Sequence, residues 1–116
     1  MSFAYSRLKE IGYLSDSAAA VVTNAASTTT YIRSIILHNT HTSALTVTLY
    51  NVPDNAGAVG TAASANQFYD ESIGASDIVM LEFPAPGIVL EDTNDTIQGV
   101  CGTASKVTIQ AYGGSE

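Results

Sequence analysis

Apolar and polar positions alternate most clearly from Ala44 to Val52, where Leu45, Val47 and Leu49 fall on one side and Thr46, Thr48 and Tyr50 on the other. Period-2 alternation places successive side chains on opposite faces of a strand, so this segment reads as a strand with one buried face. Thr28 to Asn39 is a β-branched run with apolar residues on both faces in its second half, as expected for a strand covered by neighbours. The polar link Thr40 to Ser43 is short, a length that predicts a hairpin and antiparallel pairing of these two strands. Pro53 ends the second strand because it lacks an amide hydrogen.

Further strands are predicted at Ala18 to Ala26, at Gln67 to Ile73 as a sheet edge, at Ile78 to Phe83 with Val79, Leu81 and Phe83 on one face, and at Ile88 to Leu90. Thr96 to Cys101 and Lys106 to Tyr112 close the chain as a predicted hairpin, with Ile97, Gly99 and Cys101 on one face and Val107, Ile109 and Ala111 on another. Residues 53 to 66 are nearly all small or turn-forming and predict a mobile tip or a segment ordered by a neighbouring subunit. Residues 1 to 17 show neither period 2 nor period 3.6 and read as an N-terminal arm, leaving 18 to 116 as one domain. About seven or eight short strands at turn-punctuated spacing predict an all-β antiparallel β-sandwich of jelly-roll-like form.

Composition supports this class. Thr, Val and Ile number 31 against 21 for Lys, Arg, Glu, Gln, Leu and Met, so residues that suit a pleated surface outnumber those that suit helices. Four bases against eleven acids give a net charge of -7, which repels a phosphate backbone and argues against direct nucleic-acid binding. The start lacks a signal-peptide pattern and no apolar run reaches membrane-spanning length, so the expectation is a soluble, unprocessed intracellular product, or something assembled there, with no membrane partner. Bases occur only at Arg7, Lys9, Arg33 and Lys106, so the body is acidic and the arm is not.

Candidate chemistry is sparse. His38 and His41 lie three apart, which on a strand sends them to opposite faces. Cys101 sits between Val100 and Gly102, a setting for a buried thiol rather than a nucleophile. Glu91, Asp92, Asn94 and Asp95 offer oxygen ligands but lack the regular spacing of a calcium loop. No catalytic residue, metal ligand or cofactor is therefore assigned. The interface candidates are Phe3, Tyr5, Arg7, Leu8, Lys9, Ile11, Tyr13 and Leu14, whose large side chains beside two bases fit an apolar interface with a charged rim.

Three stretches carry a family resemblance: YIRSIILHNT at Tyr31 to Thr40, ALTVTLYNVP at Ala44 to Pro53, and FPAPGIVLEDTNDTIQG at Phe83 to Gly99. They resemble a group of small virion structural proteins of tailed bacteriophages. The first two are similar to that group's hairpin, and the third to its Leu-x-x-Gly-Asp-x-Ile turn, with Asn94 in the place of the Gly, Asp95 and Ile97 in step, and Leu90 one residue further back than the pattern has it. Asn tolerates a left-handed backbone best after Gly, so the turn survives the change. The resemblance implies a non-enzymatic homo-oligomer located in the virion, whose partners are the major capsid protein or other virion subunits. It implies a capsid decoration (cement) role, with a tail, neck or fibre component as the alternative. A carbohydrate-binding module is the rival from another class.

Overall fold

The computed structural model describes residues 4–116, so Phe3 lies outside the described residues. Nine strands make two antiparallel sheets packed as a β-sandwich: β1 (Ala4–Tyr13), β2 (Ala19–Thr23), β3 (Thr30–Asn39), β4 (Leu45–Val52), β5 (Gln67–Ile73), β6 (Ile78–Glu82), β7 (Ile88–Leu90), β8 (Thr96–Cys101) and β9 (Val107–Ser115). One sheet runs β1-β9-β3-β6, with β7 also on β3, and the other runs β2-β8-β4-β5. The first half of the chain pairs with the second in reverse order: β1 with β9, β2 with β8, β3 with β6 and β7, and β4 with β5. This nesting of hairpins, rolled so that successive pairs alternate between sheets, is a jelly roll.

The nesting corrects two sequence expectations. β3 and β4 are not hairpin partners, because they belong to different sheets and their short link is a corner between layers. The same holds for β8 and β9. Link length reports only that two strands are close, and a corner across a sandwich is as short as a hairpin turn. At the β3–β4 corner the buried Asn39 amide donates to the carbonyls of Ser43 (3.0 Å), Ile73 (2.9 Å) and Gly74 (3.3 Å), and its oxygen accepts the His41 N–H (2.9 Å). Asn24 clips the opposite end: its amide donates to the carbonyls of Thr28 and Asp92, and its oxygen accepts the Thr30 hydroxyl at 2.7 Å.

The segment read as an arm is an edge strand. β1 pairs with β9 from Ala4 opposite Ser115 to Tyr13 opposite Thr108, with register shifts between Arg7 and Lys9 and between Lys9 and Gly12. Each bulge adds a residue and shifts the inside–outside alternation, which erases the period-2 signal from the sequence. Immediately after it, Leu14 is buried at 2 % exposure.

The core lies where the inward faces of β3, β4, β8 and β9 meet, around Ile32, Ile35, Leu37, Val47, Leu49, Ile97, Cys101, Val107 and Ile109. A register shift between Ile32 and Ser34 lets Ile32 and Ile35 both point inward. At the same level residues 83–87 separate β6 from β7, and the ladder is bridged by the Phe83 N–H donating to the Arg33 carbonyl at 2.9 Å. Gly113 has no room for a β-carbon, which would overlap the Tyr31 carbonyl of β3.

Candidate interaction face

The outward surface of the β1-β9-β3-β6 sheet is organised in cross-strand rungs. Tyr13, Thr108, His38 and Ile78 make one, since Thr108 pairs with both Tyr13 and His38, and His38 with Ile78. Gln110, Ile36 and Met80 make the next, with Glu10 and Ile11 together in the β1 bulge at its end. Arg7, Tyr112, Ser34 and Glu82 make the third. Their neighbours Val79, Leu81, Ile109, Ala111, Ile35 and Leu37 belong to the core or pack on it, which fixes the rung residues as outward.

This face is unusually apolar. Ile78 is 64 % exposed, Met80 59 %, Ile11 61 % and Tyr13 58 %, and Tyr112 is also exposed. The first four form two exposed pairs, Ile11 with Tyr13 at the β1 edge and Ile78 with Met80 at the β6 edge, with Ile36 and polar residues between. Grouped exposed side chains of this size mark interaction surfaces more than single ones do. Of the arm residues singled out from sequence, Tyr5, Arg7, Ile11 and Tyr13 are on the exposed side of β1. Leu14 and Leu8 are not available to a partner, because Leu14 is in the core and Leu8 packs against it. Lys9 is opposite the buried Ala111, with its ammonium end beside Gly12. Arg7 pairs with Glu10 at 3.1 Å, both well exposed. Sequence reading missed Ile78 and Met80 as surface residues; the alternation that puts Val79 and Leu81 on one face puts these two on the other, and is the signal that could have found them.

Beyond the third rung, Tyr5 and Tyr31 both pair with Gly114. Two adjoining depressions of about 500 and 360 Å³ share Tyr5 and Arg33; Tyr112 and Ser6 line the first, and Tyr31, Pro86 and Glu116 the second. The Arg33 Nε donates to the Phe83 carbonyl at 3.3 Å, which fixes the guanidinium at the strand break. Burial pushes the Tyr31 phenol above its usual pKa, reinforced by the negative charges of Glu116 and Glu91 and by a hydrogen bond to Glu116. Three tyrosines that are scattered in sequence thus converge around one arginine, because β9 pairs with β1 on one side and with β3 on the other.

The acidic turn is differently composed from its sequence reading. Asp54, from the segment after β4, joins Asp92 and Asp95 with carboxylate oxygens within 4.8 Å of one another. Asp95 already accepts the backbone N–H groups of Asp54 (2.9 Å), Glu91 (3.2 Å) and Asp92 (3.0 Å), so it organises the turn. Asn94 occupies the left-handed region with φ +74°, as its place in the turn demands, and its amide donates to the Gly57 carbonyl at 2.8 Å. With Gln98 donating to the Gly60 carbonyl at 3.0 Å, residues 54–60 are tied to their own domain rather than forming a free tip. Cys101 is buried and its thiol donates to the Thr103 carbonyl at 2.9 Å. His38 faces outward on the first rung, and neither histidine joins the one three-residue group of potential metal ligands among the described residues. No known protein family, curated protein or solved structure matches the chain.

Proposed function

We propose that the chain is a non-enzymatic virion structural protein, a decoration protein that adds contact area to a phage head. The observation that carries this reading is the apolar outer face of β1-β9-β3-β6, with Ile11, Tyr13, Ile78 and Met80 each more than half exposed on a rigid sheet. Such a face favours burial against another subunit by roughly 25 cal/mol per Å² of apolar surface covered. The resemblance of residues 31–40, 44–53 and 83–99 to tailed-phage virion proteins supplies the assembly, and jelly rolls recur in capsid proteins among other roles. A protein that binds only the assembled lattice stabilises it by binding linkage. The test is titration of preformed empty capsids: saturable, stoichiometric binding is expected, and binding to tails or necks alone would move the protein to the alternative position.

The cluster of Tyr5, Tyr31 and Tyr112 around Arg33 favours a second reading, binding of a saccharide, because aromatic faces and a guanidinium suit sugar rings and hydroxyls. Glycan-array binding that is lost in Arg33→Ala would select it.

A further inference from the structure

The exposed face of the β1-β9-β3-β6 sheet has charge and apolar side chains distributed so that one half complements the other. A line parallel to the strands and running between β9 and β3 divides the four strands equally. A two-fold rotation about such a line, set in the plane of contact, lays β1 on the β6 of a second molecule and β9 on its β3, and keeps every rung on the same rung. We infer that this face is a two-fold interface between two copies of the chain. The inference rests on reading the face as an assembly surface and names its first occupant.

The three rungs agree with that geometry. Tyr13 comes over Ile78 of the partner subunit, and Ile11 over Met80 of the partner subunit, so two exposed apolar residues at one edge cover two at the other. Arg7, which also pairs with Glu10 of its own chain, comes over Glu82 of the partner subunit, placing a cation against a carboxylate at both side edges of the third rung. In an isologous contact each pairing occurs twice, so two charge pairs on the third rung border four apolar pairings on the first and second. Stacked sheets cross at roughly 30°, which moves a strand about 7 Å from the axis by only about 4 Å, within the reach of an arginine side chain. A two-fold axis perpendicular to the strands, centred on the middle rung, would set Arg7 against Tyr13 of the partner subunit and Glu82 against Ile78 of the partner subunit. That leaves both charges without an opposite partner across the interface, so electrostatic complementarity selects the first axis.

Sedimentation velocity of the full chain, from about 1 to 100 µM, tests the proposal, since these concentrations span the affinities of weak to moderate dimers. A concentration-dependent dimer is expected. Arg7→Glu and Glu82→Arg should each weaken it by about tenfold or more, and the double exchange should restore it to within about threefold. Both residues are on the surface, and circular dichroism verifies that each variant is folded. A mixture of Tyr13→Cys and Ile78→Cys chains treated with a short bismaleimide should give a covalent dimer that neither variant gives alone. A wild-type chain that stays monomeric, a double exchange that fails to rescue, or cross-linking within either single variant overturns the two-fold. Saturable capsid binding by a monomer would still leave the structural function standing, with this face turned to the shell protein.

Discussion

The Leu14 Cδ2 methyl lies 2.9 Å from the position that a β-carbon on Gly99 would take. Leu14 follows the edge strand of one sheet and Gly99 belongs to the middle of the other, so the missing side chain on β8 is the seat for a residue arriving from β1. The chain is fixed there by the Leu14 N–H donating to the Val107 carbonyl (2.8 Å) and the Cys101 N–H donating to the Ser15 carbonyl (3.0 Å). Gly99→Ala should cost about 1–3 kcal/mol through overpacking, and Leu14→Ala about 2–5 kcal/mol through the cavity it leaves. Because the two atoms compete for one space, the double variant should cost less than the sum, measured by urea unfolding of all three.

Removing residues 1–15 should unfold or aggregate the protein. The deletion takes away Leu14 and the whole of β1, and it bares the hydrogen-bonding edge of β9. Loss of a cooperative thermal transition is the expected result; a truncated chain that melts cooperatively near the full-length temperature would show that β1 contributes nothing to the core.

Asn39→Ala should destabilise by about 2–4 kcal/mol, more than an average surface change, because three carbonyls and one amide hydrogen lose their partner in a buried corner. Hydrogen exchange should then accelerate at Ser43, Ile73 and Gly74 together, while the far corner at Asn24 stays protected.

Chelator should leave the melting temperature unchanged, since Asp95 is already satisfied by three backbone N–H groups. Asp95→Ala should lower stability by about 1–3 kcal/mol with or without calcium. A rise of several degrees in melting temperature on adding calcium to the wild type, lost in Asp92→Asn, would assign the acidic group to an ion instead.

Alkaline titration should show late-ionising tyrosines. Burial raises Tyr69, with the nearby Glu71 charge adding to it, and burial followed by Glu116 and Glu91 raises Tyr31. A tyrosine whose pKa is higher folded than unfolded binds its proton more tightly in the native state. Its contribution is therefore complete below the ordinary value near 10 and disappears as pH rises through the elevated folded value. Ultraviolet titration of native and urea-unfolded protein should differ in that direction, and Tyr69→Phe should reduce the difference.

Strand existence was legible because one-sided burial writes period 2 into β4, β6 and β9, as at Leu45, Val47 and Leu49. Pairing was not, because nothing local distinguishes a corner from a hairpin: Thr40 to Ser43 has the composition of either. β1 was hidden by its own bulges at Leu8 and at Glu10 and Ile11. The candidate face was half legible. Tyr5, Arg7, Ile11 and Tyr13 were identifiable as large or charged residues near the start, but Tyr112 comes from β9, paired with β1 only across the length of the chain, and Ile78 and Met80 come from β6, which meets β1 only through β9 and β3. The tyrosine groove required the same long-range knowledge, since Tyr5, Tyr31 and Tyr112 become neighbours only after the chain is rolled.

The nested order of strand pairs also dictates how the molecule can assemble itself. Only β4 and β5 are joined directly, so they can meet first; with them closed, β3 finds β6 across a much shorter effective loop, and β2 with β8 and β1 with β9 follow. The chain closes like a zipper from its middle, and the edge that carries Tyr13 and Ile11 is the last to be laid down. Transition-state φ-values should accordingly be high at Val47 and Leu49 and near zero at Leu14. In such a sequence the apolar rungs come together only on a finished sheet, so a half-folded chain has no completed face with which to capture another.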